Sequence, residues 1–311
     1  MEKNEKIYVT GHNGMVGSAI VRVLKRKGYT NIITKTSKEL DLRNQNKTNE
    51  FIKKEKPNTI IIASAKVGGI NANMNNLTGF LMDNLQIETN IISSAYKNNV
   101  ENLMFLGSSC IYPREAQQPL KEDYLLTGPL EPTNEGYAIA KIAGLKACEY
   151  LNKEHDLNYI SVMPCNLYGE NDNFDPESSH VIAGIMQRMH LAKEENKSFI
   201  KIWGSGKPLR EFLYVDDMAE ATVFVLENYK GSDFINIGSF SEITIKELAE
   251  TIQKVIGYEG ELMFDTSKPD GMFRKKLDTT KINELGWQPK FSLENGLKKT
   301  YEWYLKNVYE K

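Results

Sequence analysis

Lys6-Ile-Tyr-Val-Thr-Gly11-His-Asn-Gly14-Met-Val-Gly17 decides the fold. A β-rich run over Lys6–Thr10 meets three glycines spaced G-x-x-G-x-x-G. A helix-period segment, Met15–Lys27, follows. Glycine permits a tight turn and close backbone approach to a pyrophosphate. The helix N-terminus adds unpaired N–H groups and the positive end of its dipole. A glycine triplet alone equally marks a structural turn, but here a strand precedes it and a helix follows. The candidate cofactor contacts in the turn are Gly11, Asn13, Gly14, Met15, Val16 and Gly17.

Beyond the turn the alternation continues. Strand-like runs at Asn31–Lys35, Thr59–Ala65, Asn102–Gly107 and Tyr159–Met163 are separated by helical patterns at Asn44–Glu55, about Met82–Asn98 and Tyr137–Glu154. The run Thr59-Ile-Ile-Ile-Ala-Ser-Ala65 is apolar on both faces, as a central parallel strand requires. The pattern predicts an α/β chain with a doubly wound parallel sheet of the Rossmann type. The second half is less regular. Helices are expected at His180–Glu195, about Asp216–Asn228 with Asp216 as N-cap, Ile243–Ile256 and Leu293–Lys306. A strand is expected at Glu211–Val215. Residues 1–166 with about 211–238 read as the dinucleotide-binding domain. About 167–210 and 239–311 read as a smaller, interleaved α/β substrate domain.

The 311 residues suffice for such a core, and 41% hydrophobic with 26% charged residues is ordinary for a globular chain. A net charge of −2 offers no overall attraction to nucleic acid or anionic membrane, so any phosphate must be held by local groups. The charged start Met1–Lys6 does not read as a signal peptide, and Thr59–Ile70 is too short for a span and contains Lys66. Cys110, Cys148 and Cys165 are odd in number and form no C-x-x-C pair. Disulfides and a structural zinc are not expected, and the chain reads as cytoplasmic.

The second strand selects a cofactor. An NAD enzyme usually places an acid near its end for the ribose 2′-OH. Here the end reads Lys35-Thr-Ser37-Lys38. Basic and hydroxyl side chains suit a 2′-phosphate, so NADP is favoured over NAD; the alternative is that both lysines are merely solvated. Asp41 and Leu42 lie where they can meet the adenine edge, though an acid there is equally a helix N-cap.

Chemistry is signalled by Gly107-Ser108-Ser109-Cys110 after the fourth strand and by Tyr137-Ala-Ile-Ala-Lys141. On a helix, Tyr137 and Lys141 share a face. A nearby ammonium and the cofactor's cationic nicotinamide are expected to stabilise the phenolate and lower the phenol's pKa from about 10. Tyr137 then exchanges a proton with a carbonyl oxygen as hydride moves, while Ser108 donates to the same oxygen. A surface Tyr–Lys pair is the plain alternative for this spacing taken alone.

Taken together, these residues resemble the extended short-chain dehydrogenase/reductases that act on nucleotide sugars, including the glycine spacing. The likeness runs nearly end to end. It includes Ala65-Lys-Val-Gly-Gly-Ile70, Leu106-Gly-Ser-Ser-Cys-Ile-Tyr-Pro113, Leu130-Glu-Pro-Thr-Asn-Glu135, Asn166-Leu-Tyr-Gly169, Trp203-Gly-Ser-Gly206, Arg210-Glu-Phe-Leu213, Val215-Asp-Asp217 and Lys268-Pro-Asp-Gly271. The resemblance implies NADPH-dependent 3,5-epimerisation and 4-keto reduction of a GDP-4-keto-6-deoxy-mannose-type sugar, with Cys110 and His180 moving protons at the carbons beside the ketone. It places the nicotinamide end of the cofactor near Leu106, Gly107, Ser109, Lys141, Pro164, Asn166, Leu167 and His180. It sets the GDP-sugar against Ser109, Asn166, Arg188, Trp203, Arg210 and Asp270. Read without it, Cys110 and His180 are equally packing residues, Arg188 a polar-face helix residue and Trp203 core.

The chain departs from the family pattern at Lys35, Ser37 and Asn13, where arginines are common, and at Cys165, where threonine is usual. Other readings stay open: a 4-reductase of another GDP-4-keto sugar (a heptose or a 3,6-dideoxy sugar), an NAD-recycling nucleotide-sugar 4-epimerase, or a binding protein without catalysis. The resemblance also implies a homodimer built on the helices near Met82–Asn98 and Tyr137–Glu154.

Overall fold

The computed structural model describes residues 1–176, 178–267, 270 and 272–310. The first half runs β1 (Ile7–Thr10), α1 (Met15–Arg26), β2 (Ile32–Ile33), α2 (Gln45–Glu55), β3 (Thr59–Ile62), α3 (Ile70–Met74), α4 (Leu77–Lys97), β4 (Asn102–Leu106), α5 (Glu135–His155), β5 (Asn158–Pro164). The second half runs β6 (Asn166–Tyr168), α6 (Val181–Glu194), β7 (Phe199–Trp203), β8 (Leu209–Arg210), β9 (Phe212–Tyr214), α7 (Val215–Asn228), β10 (Ile235–Ile237), β11 (Ile243–Thr244), α8 (Ile245–Ile256), β12 (Glu261–Asp265), β13 (Arg274–Lys275), α9 (Thr280–Glu284), α10 (Leu293–Tyr304).

Six strands form one sheet in the order β10-β5-β4-β3-β1-β2, every neighbouring pair parallel. β1 and β3 are buried at every position because helices cover both faces of the sheet. The order turns back between β1 and β3, and in open α/β sheets the crevice outside the carboxyl ends at such a switch is where ligands bind. α1 buries Ala19, Ile20, Val23 and Leu24 toward the core, a stripe of helical period. It is tied to α7 through Arg22–Asp216 and Arg26–Glu220, each 2.5 Å.

Several boundaries differ from the sequence reading, for local reasons. The third strand ends at Ile62, before Ala65, because the hydroxyl of Thr10 accepts from Ala63 N and Ser64 N, both at 3.1 Å. The second strand keeps only Ile32–Ile33 of the expected Asn31–Lys35. Asp216 is not the N-cap of α7: Tyr214 holds that position, and the Asp216 carboxylate in the first turn pairs with Arg22. α4 begins at Leu77, well before Met82, because Asn76 caps it by accepting from Gly79 N at 3.1 Å. α8 begins at Ile245, with a capping box between Thr244 and Glu247.

The smaller sheets, β11-β8-β13, β12-β7 and β6-β9, draw on residues 166–275. Glu211 anchors this half. Fully buried, it accepts from Ser239 N (2.9 Å), Phe240 N (3.0 Å) and Leu277 N (3.1 Å), fastening two separate segments to one carboxylate. Among the described residues no helix is long and apolar enough to cross a membrane, and no group of His, Cys, Asp and Glu is arranged to hold a metal ion.

Candidate active site

The glycine turn follows β1 at the switch point of the sheet. Two of its glycines serve the chain itself. Gly11 has φ +67°, and a Cβ there would lie 2.8 Å from Ala63 O; at Gly17 a Cβ would lie 2.2 Å from Gly11 O. Gly14 is different. It is exposed, and a Cβ would meet only Gly11 O at 3.4 Å, an ordinary contact. Internal packing therefore does not demand glycine at 14, whereas close approach of a phosphate group to the backbone does. No side chain caps the N-terminus of α1, so the first N–H groups of Met15, Val16 and Gly17 are left for an anion. The turn fits a dinucleotide pyrophosphate.

Around the adenosine side, Lys35 pairs with Glu39 at 3.3 Å, while Ser37 and Lys38 are exposed. Asp41 is held by Arg43 in a two-pronged contact of 3.0 and 2.9 Å, which keeps its carboxyl below the usual range. The cap of α2 is Asn44, so Asp41 is not the N-cap. Arg43 itself is an exposed guanidinium beside this basic loop.

Past the carboxyl end of β4, Leu106-Gly107-Ser108 leads into a short 3₁₀ turn over Ser109–Ile111. Ser108 caps it by accepting from Cys110 N at 3.2 Å. Lys141 rises from α5 into the same region. It is 2% exposed, its Nζ donates to Leu106 O at 3.0 Å, and it lies 5.7 Å from the centre of the Tyr137 ring. Ser108, Cys110, Tyr137 and Lys141 thus form one cluster. Asn134 Nδ2 reaches Cys110 Sγ at 3.2 Å and Lys275 Nζ reaches it at 3.5 Å. Cys110 is only part-buried, unlike Cys148 and Cys165, which belong to the core.

The expected lowering of the phenol's pKa counts the cofactor's nicotinamide as well as Lys141; among the protein groups alone, Tyr137 is pushed above the ordinary tyrosine value. Burial is the main cause, Cys110 and the Glu88 carboxylate add to it, and a bond with Ser108 opposes it. Lys141 Nζ also lies 2.7 Å from Glu88 Oε1 on α4, and burial pushes that carboxyl's pKa up against the opposing effect of Lys141.

His180 is the N-cap residue of α6, and its Nδ1 lies 3.5 Å from Asp172 Oδ1. That contact raises the imidazole's pKa above its usual value against the opposing effect of burial. His180 is reached from a different element than the Ser108–Tyr137 cluster, and its described polar contact is to Asp172. Pro164, Asn166 and Leu167 stand where β5 passes into β6, and Asn166 Nδ2 donates to Glu211 O at 2.9 Å. Ser109 is buried at 4% exposure.

The residues read as sugar-nucleotide contacts lie in the smaller half. Arg188 donates to Gly184 O (3.1 Å) and Lys201 O (3.3 Å), and Arg210 donates to Leu209 O (2.8 Å). Both guanidiniums are anchored on carbonyls, an arrangement that preserves their charge for an anion. Trp203 is 61% exposed, so the core reading of that residue is wrong. Asp270 is already engaged by Ser205, through N at 2.6 Å and Oγ at 2.7 Å, and those bonds lower its pKa. In the quoted string Lys268-Pro-Asp-Gly271, residues 268, 269 and 271 lie outside the described residues.

The sequence reading missed Glu88, Asp172, Asn134 and Lys275. Only Glu88 left a trace: it falls on the inward stripe Asn84, Glu88, Ile91, Ala95 of α4, a charged residue at a core position.

A doubly wound sheet whose switch-point turn fits a pyrophosphate, with Ser, Tyr and Lys gathered at the strand ends beside it, defines a dinucleotide-binding fold of the short-chain dehydrogenase/reductase type. The chain belongs to the NAD dependent epimerase/dehydratase family, whose model matches residues 7–238. It is 55% identical over 307 residues to GDP-L-fucose synthase 1 of Arabidopsis thaliana, covering 99% of this chain and 95% of that one. Among solved structures it is similar to a GDP-6-OMe-4-keto-L-xylo-heptose reductase from C. jejuni (36% identity, TM-score 0.93, covering 98% and 99% of the two chains). It is also similar to a GDP-L-fucose synthetase from Naegleria fowleri bound to NADP (29% identity, TM-score 0.92, covering 100% and 97%).

Proposed function

We propose that this chain uses NADPH to epimerise C3 and C5 and reduce C4 of a GDP-4-keto-6-deoxy-mannose-type sugar, giving GDP-L-fucose or a close analogue. The observation that carries the reading is Cys110, a part-buried thiol that contacts Asn134 and Lys275 and sits in the Ser108–Tyr137–Lys141 cluster. A reductase alone has no use for such a thiol.

A ketone acidifies the C–H bonds on either side of it. Cys110 takes a proton from one face, and His180, which Asp172 favours in its protonated form, returns one. The enolate oxygen that develops between these steps is held by the hydroxyls of Ser108 and Tyr137. Tyr137 then gives its proton to the C4 oxygen. NADPH, when bound, supplies hydride to C4. The turn Gly11–Gly17, Lys35, Ser37, Lys38 and Asp41 would hold it on one side, and Lys141, Pro164, Asn166 and Leu167 on the other. Arg188, Arg210, Trp203 and Asp270 would hold the GDP-sugar in the smaller domain, with forked arginine bonds suited to its diphosphate. The domain division at about 166, 211 and 238 belongs to the same reading, as does a reducing cytoplasm in which Cys110 remains a thiol.

The test is stoichiometry. With GDP-4-keto-6-deoxy-mannose the chain should oxidise one NADPH per sugar. A UDP-hexose that is epimerised with no net loss of NADPH would overturn the reading. A second reading, reduction of a GDP-4-keto heptose, rests on the C. jejuni likeness and is separated by offering both sugars. Gly14→Ala should leave the melting temperature unchanged, because its Cβ meets only Gly11 O at 3.4 Å. It should weaken NADP binding by about ten- to a hundredfold, roughly 1.4 kcal/mol per factor of ten, which titration calorimetry reads.

We also infer a homodimer through α4 and α5, whose outer faces expose Leu77, Met82, Ile139 and Tyr150 at 41–53%. Sedimentation should give twice the 35.4 kDa chain mass, and Tyr150→Glu with Met82→Lys should give one chain mass.

A further inference from the structure

Beside Cys110 lies a cavity of about 20 Å³, room for one water molecule. Cys110, Glu131, Asn134 and Lys275 are the polar groups that matter in its lining, and Leu120 and Met272 supply apolar wall. Two of these groups already attend the thiol: Asn134 Nδ2 lies 3.2 Å from Cys110 Sγ and Lys275 Nζ 3.5 Å. The other end of the same amide is unused. Asn134 Oδ1 is buried and has no hydrogen-bond partner among the described residues. Leaving a buried carbonyl oxygen without a donor is unfavourable, and a water in an adjoining cavity is the usual remedy.

Glu131 joins this cavity to the surface. Its side chain is 19% exposed. Oε1 accepts from Thr133 N at 3.3 Å and from Thr133 Oγ1 at 3.1 Å, and Oε2 lies 3.6 Å from Nε of the exposed Arg114. A carboxylate offers about four lone-pair sites, so these contacts fix its position without filling it.

Proton counting gives such a group a task. The count rests on the epimerase reading above, in which Cys110 and His180 serve both C3 and C5 from opposite faces of the sugar. Each inversion puts one proton on the Cys110 thiolate and takes one from the His180 imidazolium. After the first inversion a thiol stands where the second needs a base. With the sugar between them, the two residues cannot restore each other, so the thiol's proton must leave by another way.

We propose that Glu131 resets Cys110 between the two inversions through a single water in this cavity. The Cys110 S–H gives its proton to the water as the water gives one to a Glu131 carboxylate oxygen. The thiolate is left beside the Lys275 ammonium, and Glu131 releases the proton to bulk solvent. A carboxylate is a weaker base than a thiolate, so it carries the proton only in passage.

The experiment incubates the full-length protein with NADPH and GDP-4-keto-6-deoxy-mannose in heavy water. NMR reads the ratio of product inverted at both carbons to product inverted at one. The native chain should give the doubly inverted sugar. In Glu131→Gln the first inversion draws on thiolate already present, while the second waits for the reset and loses to reduction. The ratio should fall by about ten- to a hundredfold, at or below the usual worth of a positioned proton acceptor. The amide oxygen of Gln can still accept from Thr133 N, so the turn is kept. Added formate, a small carboxylate, should raise the ratio again, which a merely structural defect would not allow. Met272→Trp, which fills the cavity and leaves Glu131 in place, should lower the ratio in the same way, and it carries the test if Glu131→Gln does not fold. A native ratio in either variant, or equal slowing of both inversions in Glu131→Gln, overturns the proposal while the epimerase reading stands. Native protein that inverts neither carbon overturns that reading, and this proposal with it.

Discussion

Tyr137→Phe should lower 4-keto reduction by about 10²–10⁴-fold, the usual contribution of a positioned general acid. The ring remains to fill its place beside Lys141; only the hydroxyl goes. Without it no group in the cluster can give a proton to the C4 oxygen. Ser108 is a hydroxyl of far lower acidity, and Lys141 is committed to Glu88 and Leu106 O. Exchange at C3 and C5 should fall much less, because Ser108 still donates to the enolate oxygen. NADPH absorbance reads the first rate and deuterium uptake from heavy water the second. Equal loss of both would mean that Tyr137 shapes the pocket and does not serve as the acid.

Cys110→Ala is the complementary case. Deuterium uptake should drop by about 10²–10⁴-fold while NADP still binds. The sulfur is approached by two donors, Asn134 Nδ2 at 3.2 Å and Lys275 Nζ at 3.5 Å, an arrangement that suits a proton acceptor. Alanine leaves both donors with nothing to serve. His180 is the poorer base of the two, since Asp172 raises its pKa and favours the acid form. Any NADPH then consumed should yield a sugar reduced at C4 with no solvent deuterium in its ring. Uptake at the native rate would remove Cys110 from the mechanism.

The dinucleotide half was readable in the sequence because its signals are local. A glycine turn lies between a strand and a helix, apolar runs alternate with helical periods, and Tyr137 and Lys141 lie one helical turn apart. What sequence could not supply was the electrostatic partner of each group. Glu88 is 53 residues before Lys141 and Lys275 is 165 after Cys110, so only the fold brings them together. The spacing shows an ammonium near Tyr137 but not the Glu88 carboxyl 2.7 Å from that ammonium. Strand ends were misjudged for a similar reason. A side chain from another strand, Thr10, captures the N–H groups of Ala63 and Ser64 and stops the ladder early. Trp203 shows the limit of composition. A tryptophan is most often buried, yet this one lies 61% exposed beside a glycine turn.

The most direct test of the central claim is one incubation of the protein with NADPH and GDP-4-keto-6-deoxy-mannose in heavy water, with the product read by NMR. The account predicts deuterium at both C3 and C5, inverted configuration at each, and one NADPH oxidised per sugar. A product reduced at C4 with protium and unchanged configuration at C3 and C5 would contradict it.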